Sequence, residues 1–271
     1  MHTTRIPYEQ LPDEVRAAVE DLTGPVSATE SAIEGLNSAV AARLHAAGAS
    51  YFVKAMPVDA RWVFTQRREA EVAPYVRTVA PAMLSRLVVG GWDVLVFEAL
   101  SGHAADYAPD SPDLPQLVGL LRAVSELPCP PTELRHADQR LSNYVASADD
   151  VHYFAGGSLL HTDWNNFNVI VTPDGARMVD WGWATRGAAW LDTGYWVLWL
   201  IASGHDPRAA EAWAQQVPAW LGASPSGVTA FAAANKAMWA EIGGPTPEAW
   251  TARMMAASRN WYDYRTSAFM V

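Results

Sequence analysis

The segment His161-Thr162-Asp163-Trp164-Asn165-Asn166-Phe167-Asn168, followed twelve residues after Asn168 by Asp180-Trp181-Gly182, constrains this chain more than any other. Between the two, residues 168–172 have the β-branched content of a strand, Pro173-Asp174-Gly175 reads as a tight turn, and residues 176–180 read as the return strand. Folding about Asp174 sets Thr172 against Ala176 and Asn168 against Asp180. Directly opposed residues share a face, with Cβ atoms about 4.5–5.5 Å apart. One amide oxygen and one carboxylate then converge at the open end of a hairpin. That donor set suits a hard cation such as Mg²⁺, which takes few protein ligands and fills its shell with phosphates and water. Asp163, on the loop entering the first strand, is placed to face the same ion from the acceptor side. The plain alternative is a polar loop before a surface hairpin with two incidental acids.

The rest of the composition excludes several classes. With 271 residues, 50% hydrophobic and 18% charged, the chain can bury a sizeable core and is not expected to be disordered. A net charge of −10 argues against a nucleic-acid partner and suits either a cationic acceptor or simple solubility. The single Cys129 excludes an internal disulfide and a multi-cysteine metal site. The N-terminus lacks the apolar run of a signal peptide, and the apolar stretch 188–202 is interrupted by Asp192. That stretch is shorter than the ~20 residues of a spanning helix. A soluble, cytoplasmic protein without a membrane partner, monomeric or homodimeric, is expected.

Along the chain, an amphipathic helix is expected over 8–22, β-structure over 26–56, and a charged helix over 59–75. Ser50-Tyr51-Phe52-Val53-Lys54-Ala55-Met56 alternates and places Lys54 within a strand, where a lysine either meets an anion or looks out to solvent from an edge. Glu69 and Glu71 on the following helix are about 200° apart around its axis, so only one can face that lysine. Strands over 84–89 and 92–99 are joined by Gly90-Gly91. Beyond them the pattern is helical: 113–127, 132–145, 188–202, 207–221, 226–242 and 246–269. The 13 tryptophans are read mainly as core filling.

The Asp-x-x-x-x-Asn spacing of Asp163 and Asn168, with Asp180-Trp181-Gly182 as a variant of Asp-Phe-Gly, resembles the catalytic core of kinase-like phosphotransferases. His-x-Asp-x-x-x-x-Asn is more similar to the aminoglycoside phosphotransferase and choline kinase group than to protein kinases. Those small-molecule kinases usually carry Gly where this chain has Thr162, and often a Leu-His pair where it has Val124-Ser125-Glu126-Leu127.

The resemblance implies an α+β, bilobal protein-kinase-like fold, with a nucleotide-binding N-lobe over 1–99 and a mainly helical C-lobe over 100–271. It implies that Lys54 contacts the ATP (or GTP) α/β-phosphates, held by a helix glutamate. Glu69 is preferred for its Arg-Glu-Ala setting, and Glu71 stays open. It sets the hinge at 97–100, where the backbone of Glu98 and Leu100 reads the adenine edge. The phosphate-covering loop falls at Ser27-Ala28-Thr29-Glu30-Ser31 or Gly35-Leu36-Asn37-Ser38. Asp163 accepts the acceptor hydroxyl's hydrogen bond, Asp180 bridges Mg²⁺ to the phosphates, and Asn168 holds a second metal or completes the shell. His161 and Asp192 support the loop.

The expected acceptor is a hydroxylated, possibly cationic small molecule: an aminoglycoside or other antibiotic, an amino alcohol or a nucleoside-type natural product. Glu241, Glu248, Asp263 and the pair Trp261-Tyr262 are available to it. A protein acceptor is disfavoured by the short interval after Asp180 and the lack of Ala-Pro-Glu. A metallohydrolase is disfavoured by the scattered seven histidines. The remaining alternative is a non-catalytic pseudokinase, which has no need of Asp163.

Overall fold

The computed structural model describes residues 5–32, 38–46 and 48–267. It divides the chain into two compact units: Met1–Gly102 with Met178–Trp183, and His103–Arg177 with Ala184–Val271. The Asp180-Trp181-Gly182 turn therefore packs with the N-terminal residues, although it lies in the second half of the sequence.

The first unit is a five-stranded antiparallel sheet with two helices. Helix α1 (Asp13–Thr23) precedes β1 (Val26–Ser31), β2 (Val40–Ala46) and β3 (Ala49–Pro57); helix α2 (Val63–Val72) precedes β4 (Met83–Val89) and β5 (Trp92–Glu98). The strand order is β1-β2-β3-β5-β4. Helix α1 starts later than residue 8 because Pro12, which has no N–H to donate, sits immediately before it. Residues Tyr8–Gln10 form a separate 3₁₀ turn. Val15 and Val19 of α1 join Tyr8 and Leu11 over Val40, Ala42, Leu44, Val53, Ala55, Val94 and Val96. Each of these buried Val and Leu side chains contributes roughly 1.5–3 kcal/mol by burial.

Helix α2 buries Thr65, Gln66, Glu69 and Val72, one face at helical spacing, and exposes Glu71. Gln66 fixes the helix to the sheet: its Nε2 donates to the Asp93 carbonyl at 2.9 Å and to Asp93 Oδ1 at 3.1 Å.

The second unit opens with β6 (His103–Ala104), α3 (Leu114–Ser125), β7 (Arg135–His136), α4 (Ala137–Leu141) and β8 (Ser158–Leu160). Strands β9 (Val169–Thr172), β10 (Gly175–Met178) and β11 (Thr185–Gly187) follow. Helices α5 (Leu191–Ala202), α6 (Pro207–Ala214), α7 (Pro218–Leu221), α8 (Pro225–Gly243) and α9 (Ala249–Ser267) complete it. Its core is aromatic: Phe231 meets Trp190, Phe154 and Trp261 with ring centroids 5.4, 5.9 and 6.0 Å apart.

Three local expectations are corrected. The helix expected over 132–145 is reduced to α4, because Arg135 and His136 pair in parallel with β11 and His136 is extended (φ −106°, ψ 134°). The helix expected over 207–221 is split: Val217 is extended and Pro218 cannot donate into the preceding turn. In the hairpin, neither Asn168 nor Asp180 lies in the ladder. Asn168 closes a 3₁₀ turn (Asn166–Asn168), and β10 ends at Met178, whose N–H goes to the Val79 carbonyl at 2.7 Å. Among the described residues, no helix is long and apolar enough to cross a membrane.

Candidate functional site

Lys54 occupies the central strand of the first unit, opposite Ala41 on β2 and Leu95 on β5. It is buried, and its Nζ donates to Glu69 Oε1 and Oε2 and to Asp180 Oδ1, each at 2.9 Å. Burial opposes the ammonium charge, but Asp180 and Glu69 outweigh it and hold the lysine above its ordinary range. Burial likewise pushes Glu69 above the usual carboxylate range, against the pull of Lys54 and a hydrogen bond from the Trp181 backbone. The lysine's partner on α2 is thus Glu69, and the exposed Glu71 points away from the buried face.

Asp180 has a left-handed backbone, φ +67°. Aspartate tolerates that region better than most residues. Two residues on, Gly182 lies so close to α2 that an added Cβ would sit 2.9 Å from Thr65 Cβ and 3.2 Å from its carbonyl oxygen. The glycine of Asp-Trp-Gly is therefore required by helix contact. Trp183 then packs on Trp62 and Phe64 at 5.6 and 5.8 Å between ring centroids, tying the start of α2 to the segment carrying Asp180.

The loop from His161 to Asn168 belongs to the second unit. Asp192, in the first turn of α5 and buried, accepts from the backbone N–H groups of His161 and Thr162, both at 2.8 Å. Burial raises the Asp192 carboxyl above its ordinary value, opposed by these hydrogen bonds. The Asp163 N–H donates to His161 Nδ1 at 3.3 Å, and Asp163 Oδ1 accepts from the Asn165 N–H at 3.3 Å. Asn168 Nδ2 donates to the Asp163 carbonyl at 3.2 Å, so its side chain is oriented with Oδ1 as the remaining acceptor. Thr162 has φ +69°, an uncommon conformation for a β-branched residue that costs on the order of 1–3 kcal/mol.

Other sequence candidates fall in varied places. Glu98 ends β5 and its N–H donates to the Ala82 carbonyl at 2.9 Å; the Leu100 carbonyl accepts from Arg43. Ser27 to Ser31 lie in β1, an edge strand; of the second candidate covering loop, Gly35, Leu36 and Asn37 lie outside the described residues. Trp261 is fully buried and donates to Glu211 at 2.8 Å, so it belongs to the core and is not available to stack on an acceptor. The Tyr262 ring carries the Lys236 ammonium 4.0 Å from its centroid, and Glu241 accepts from the Tyr144 hydroxyl at 3.2 Å.

No protein-family model matches the chain, and no curated protein sequence does. Solved structures do. Choline kinase LicA from Streptococcus pneumoniae matches with TM-score 0.64 at 12% identity, over 92% of this chain and 98% of that one. An aminoglycoside phosphotransferase from Alicyclobacillus acidocaldarius matches with TM-score 0.59 at 12% identity, over 95% and 96%. A thermostable mutant of aminoglycoside phosphotransferase APH(4)-Ia, in ternary complex with AMP-PNP and hygromycin B, matches with TM-score 0.60 at 16% identity, over 92% and 99%. The chain has the protein-kinase-like fold of the small-molecule kinases.

Two parts of this kinase-like fold escaped the sequence reading. The aromatic trio Trp62, Phe64 and Trp183 joins residues more than a hundred positions apart, which no local pattern signals. Arg140 on α4 donates to Thr162 Oγ1 at 2.9 Å and Thr185 Oγ1 at 2.5 Å. The signal available was the threonine standing where the resemblance leads one to expect glycine.

Proposed function

We propose that this protein is a small-molecule kinase. It transfers the γ-phosphate of ATP or GTP to a hydroxyl of an aminoglycoside-like or other antibiotic or natural-product acceptor. The observation that carries the reading is the buried lysine shared by two carboxylates, Lys54 with Glu69 and Asp180. A cation held at that depth by one helix glutamate and one left-handed aspartate is poised for an anionic ligand that brings its own counter-ion. The neighbours support the chemistry: one is a choline kinase and another holds AMP-PNP with hygromycin B, a hydroxylated antibiotic.

Oxygen donors of this chemistry suit a Mg²⁺ carried by the nucleotide. Asp180 offers a carboxylate and Asn168 an amide oxygen. Among the described residues, no cluster of three or more His, Cys, Asp or Glu side chains could hold an ion alone. When bound, Mg²⁺ neutralises charge on the β- and γ-phosphates.

The side chains supply the rest. Lys54 takes the α/β-phosphates, with Glu69 fixing its direction. Because the Leu100 carbonyl is engaged by Arg43, adenine reading falls to the Glu98 carbonyl and the Leu100 N–H. The Asp163 carboxylate orients the acceptor hydroxyl and takes its proton as the acceptor oxygen bonds to the γ-phosphorus and the nucleoside diphosphate leaves. The net charge of −10 favours approach of a cationic acceptor.

Calorimetric titration of ATP and GTP, with and without Mg²⁺, tests the nucleotide half. Binding is expected to require Mg²⁺ and to weaken at least about tenfold, about 1.4 kcal/mol, in Asp180→Ala. Equal affinity in wild type and variant would remove Asp180 from the metal site.

A further inference from the structure

We infer that Thr162 and Arg140 form a clamp that positions Asp163. The inference rests on the kinase reading. Thr162 is the β-branched residue with a left-handed backbone among the described residues, and such a conformation persists only where its surroundings fix it. Here they act from two sides. Asp192 takes the backbone N–H groups of His161 and Thr162, and Arg140 Nη1 grips Thr162 Oγ1 at 2.9 Å.

The same Arg140 nitrogen donates to Thr185 Oγ1 at 2.5 Å on β11. Thr185 pairs in register with Leu160, the residue that delivers the chain into His161. One guanidinium therefore ties α4, the strand beside the loop and the residue before Asp163. A glycine at 162 would hold the same φ without strain but offers no side chain to grip. Threonine makes the conformation conditional on Arg140. Rotation of Thr162 out of the left-handed region would swing Asp163, the next residue along the chain, whose Oδ1 accepts from the Asn165 N–H at 3.3 Å. Thr162 and Arg140 are thus positioning residues, acting through the aspartate.

The test combines amide hydrogen exchange over 161–163 with steady-state Mg-ATP hydrolysis in wild type, Arg140→Ala, Thr162→Val, Thr162→Ser and the double variant Arg140→Ala with Thr162→Val. Thr162→Val keeps the branched shape and removes the hydroxyl, so it serves should Arg140→Ala fold poorly. Either single variant is expected to speed exchange of the loop amides about tenfold or more. Turnover should fall about tenfold to a hundredfold while KM for Mg-ATP stays within about twofold. Thr162→Ser, which keeps the hydroxyl, should restore turnover, and the double variant should be no worse than either single one. Unaltered exchange and turnover in both single variants, with active wild type, would overturn the clamp alone. A wild type without any Mg-ATP turnover or acceptor-dependent release would overturn the kinase reading, and the positioning role with it.

Discussion

The two non-glycine residues with left-handed backbones among those described, Asp180 and Thr162, are held in opposite ways. Asp180 belongs to the unit built on the five-stranded sheet and is held by charge: its carboxylate meets Lys54, which also meets Glu69. Thr162 belongs to the mainly helical unit and is held by hydrogen bonds: to Asp192 through its backbone and to Arg140 through its side chain. The comparison teaches where rearrangement is expected. On the proposed kinase reading, Lys54 and Asp180 exchange partners when a phosphate and its cation arrive. The loop around Thr162 has no such exchange to make and gains from being fixed in advance.

Breaking the charged half gives the largest effect on stability. Lys54→Met leaves Glu69 buried without its cation, and removing one partner of a buried pair costs roughly 3–5 kcal/mol. Urea denaturation of wild type and variant at neutral pH measures it; a loss below about 1 kcal/mol would place the triad in an exposed, weakly coupled setting.

Breaking the hydrogen-bonded half comes next. Asp192→Ala strands the N–H groups of His161 and Thr162, a loss of roughly 2–4 kcal/mol if each contributes at the level of a charge-assisted bond. Denaturation together with amide exchange over 161–163 checks it, and exchange confined to wild-type rates would contradict the brace.

The smallest effect sharpens the assignment of alkaline behaviour. Burial raises the Tyr8 hydroxyl from 10.0 to about 12. The folded state therefore binds this proton more tightly than the unfolded state, so stability is intact below pH 10 and falls as pH rises from 10 to about 12. Because Lys54 is also held above its ordinary range, an alkaline transition could be misread as loss of its charge. Tyr8→Phe should flatten the decline across that window in a pH series of melting temperatures; an identical slope would return it to Lys54 or to Tyr107 and Tyr195, which burial also raises.

Much of this was legible in the chain, and the failures have physical reasons. Lys54 could be placed in a strand from alternation alone, while its central position required the strand order. Glu69 could be preferred over Glu71 from the resemblance, while the physical reason for the choice is the buried face of α2, which Thr65, Gln66 and Val72 define. The ladder pairing of Asn168 with Asp180 was misread because period and turn position cannot show where a strand stops. Val79, far away in sequence, takes the Met178 N–H and ends β10 early. Arg140 and Trp183 were illegible for the same reason, since each acts through partners brought near only by the tertiary fold.

The most direct measurement of the kinase claim is Mg²⁺-dependent ADP or GDP release by wild type and Asp163→Ala across hydroxylated antibiotics, amino alcohols and nucleosides. Release that requires a particular acceptor and falls by about a thousandfold or more in Asp163→Ala, with nucleotide affinity retained, is the predicted result. Mg-nucleotide binding with no acceptor-dependent release above the Asp163→Ala background would contradict catalysis and make the protein a nucleotide-binding pseudokinase.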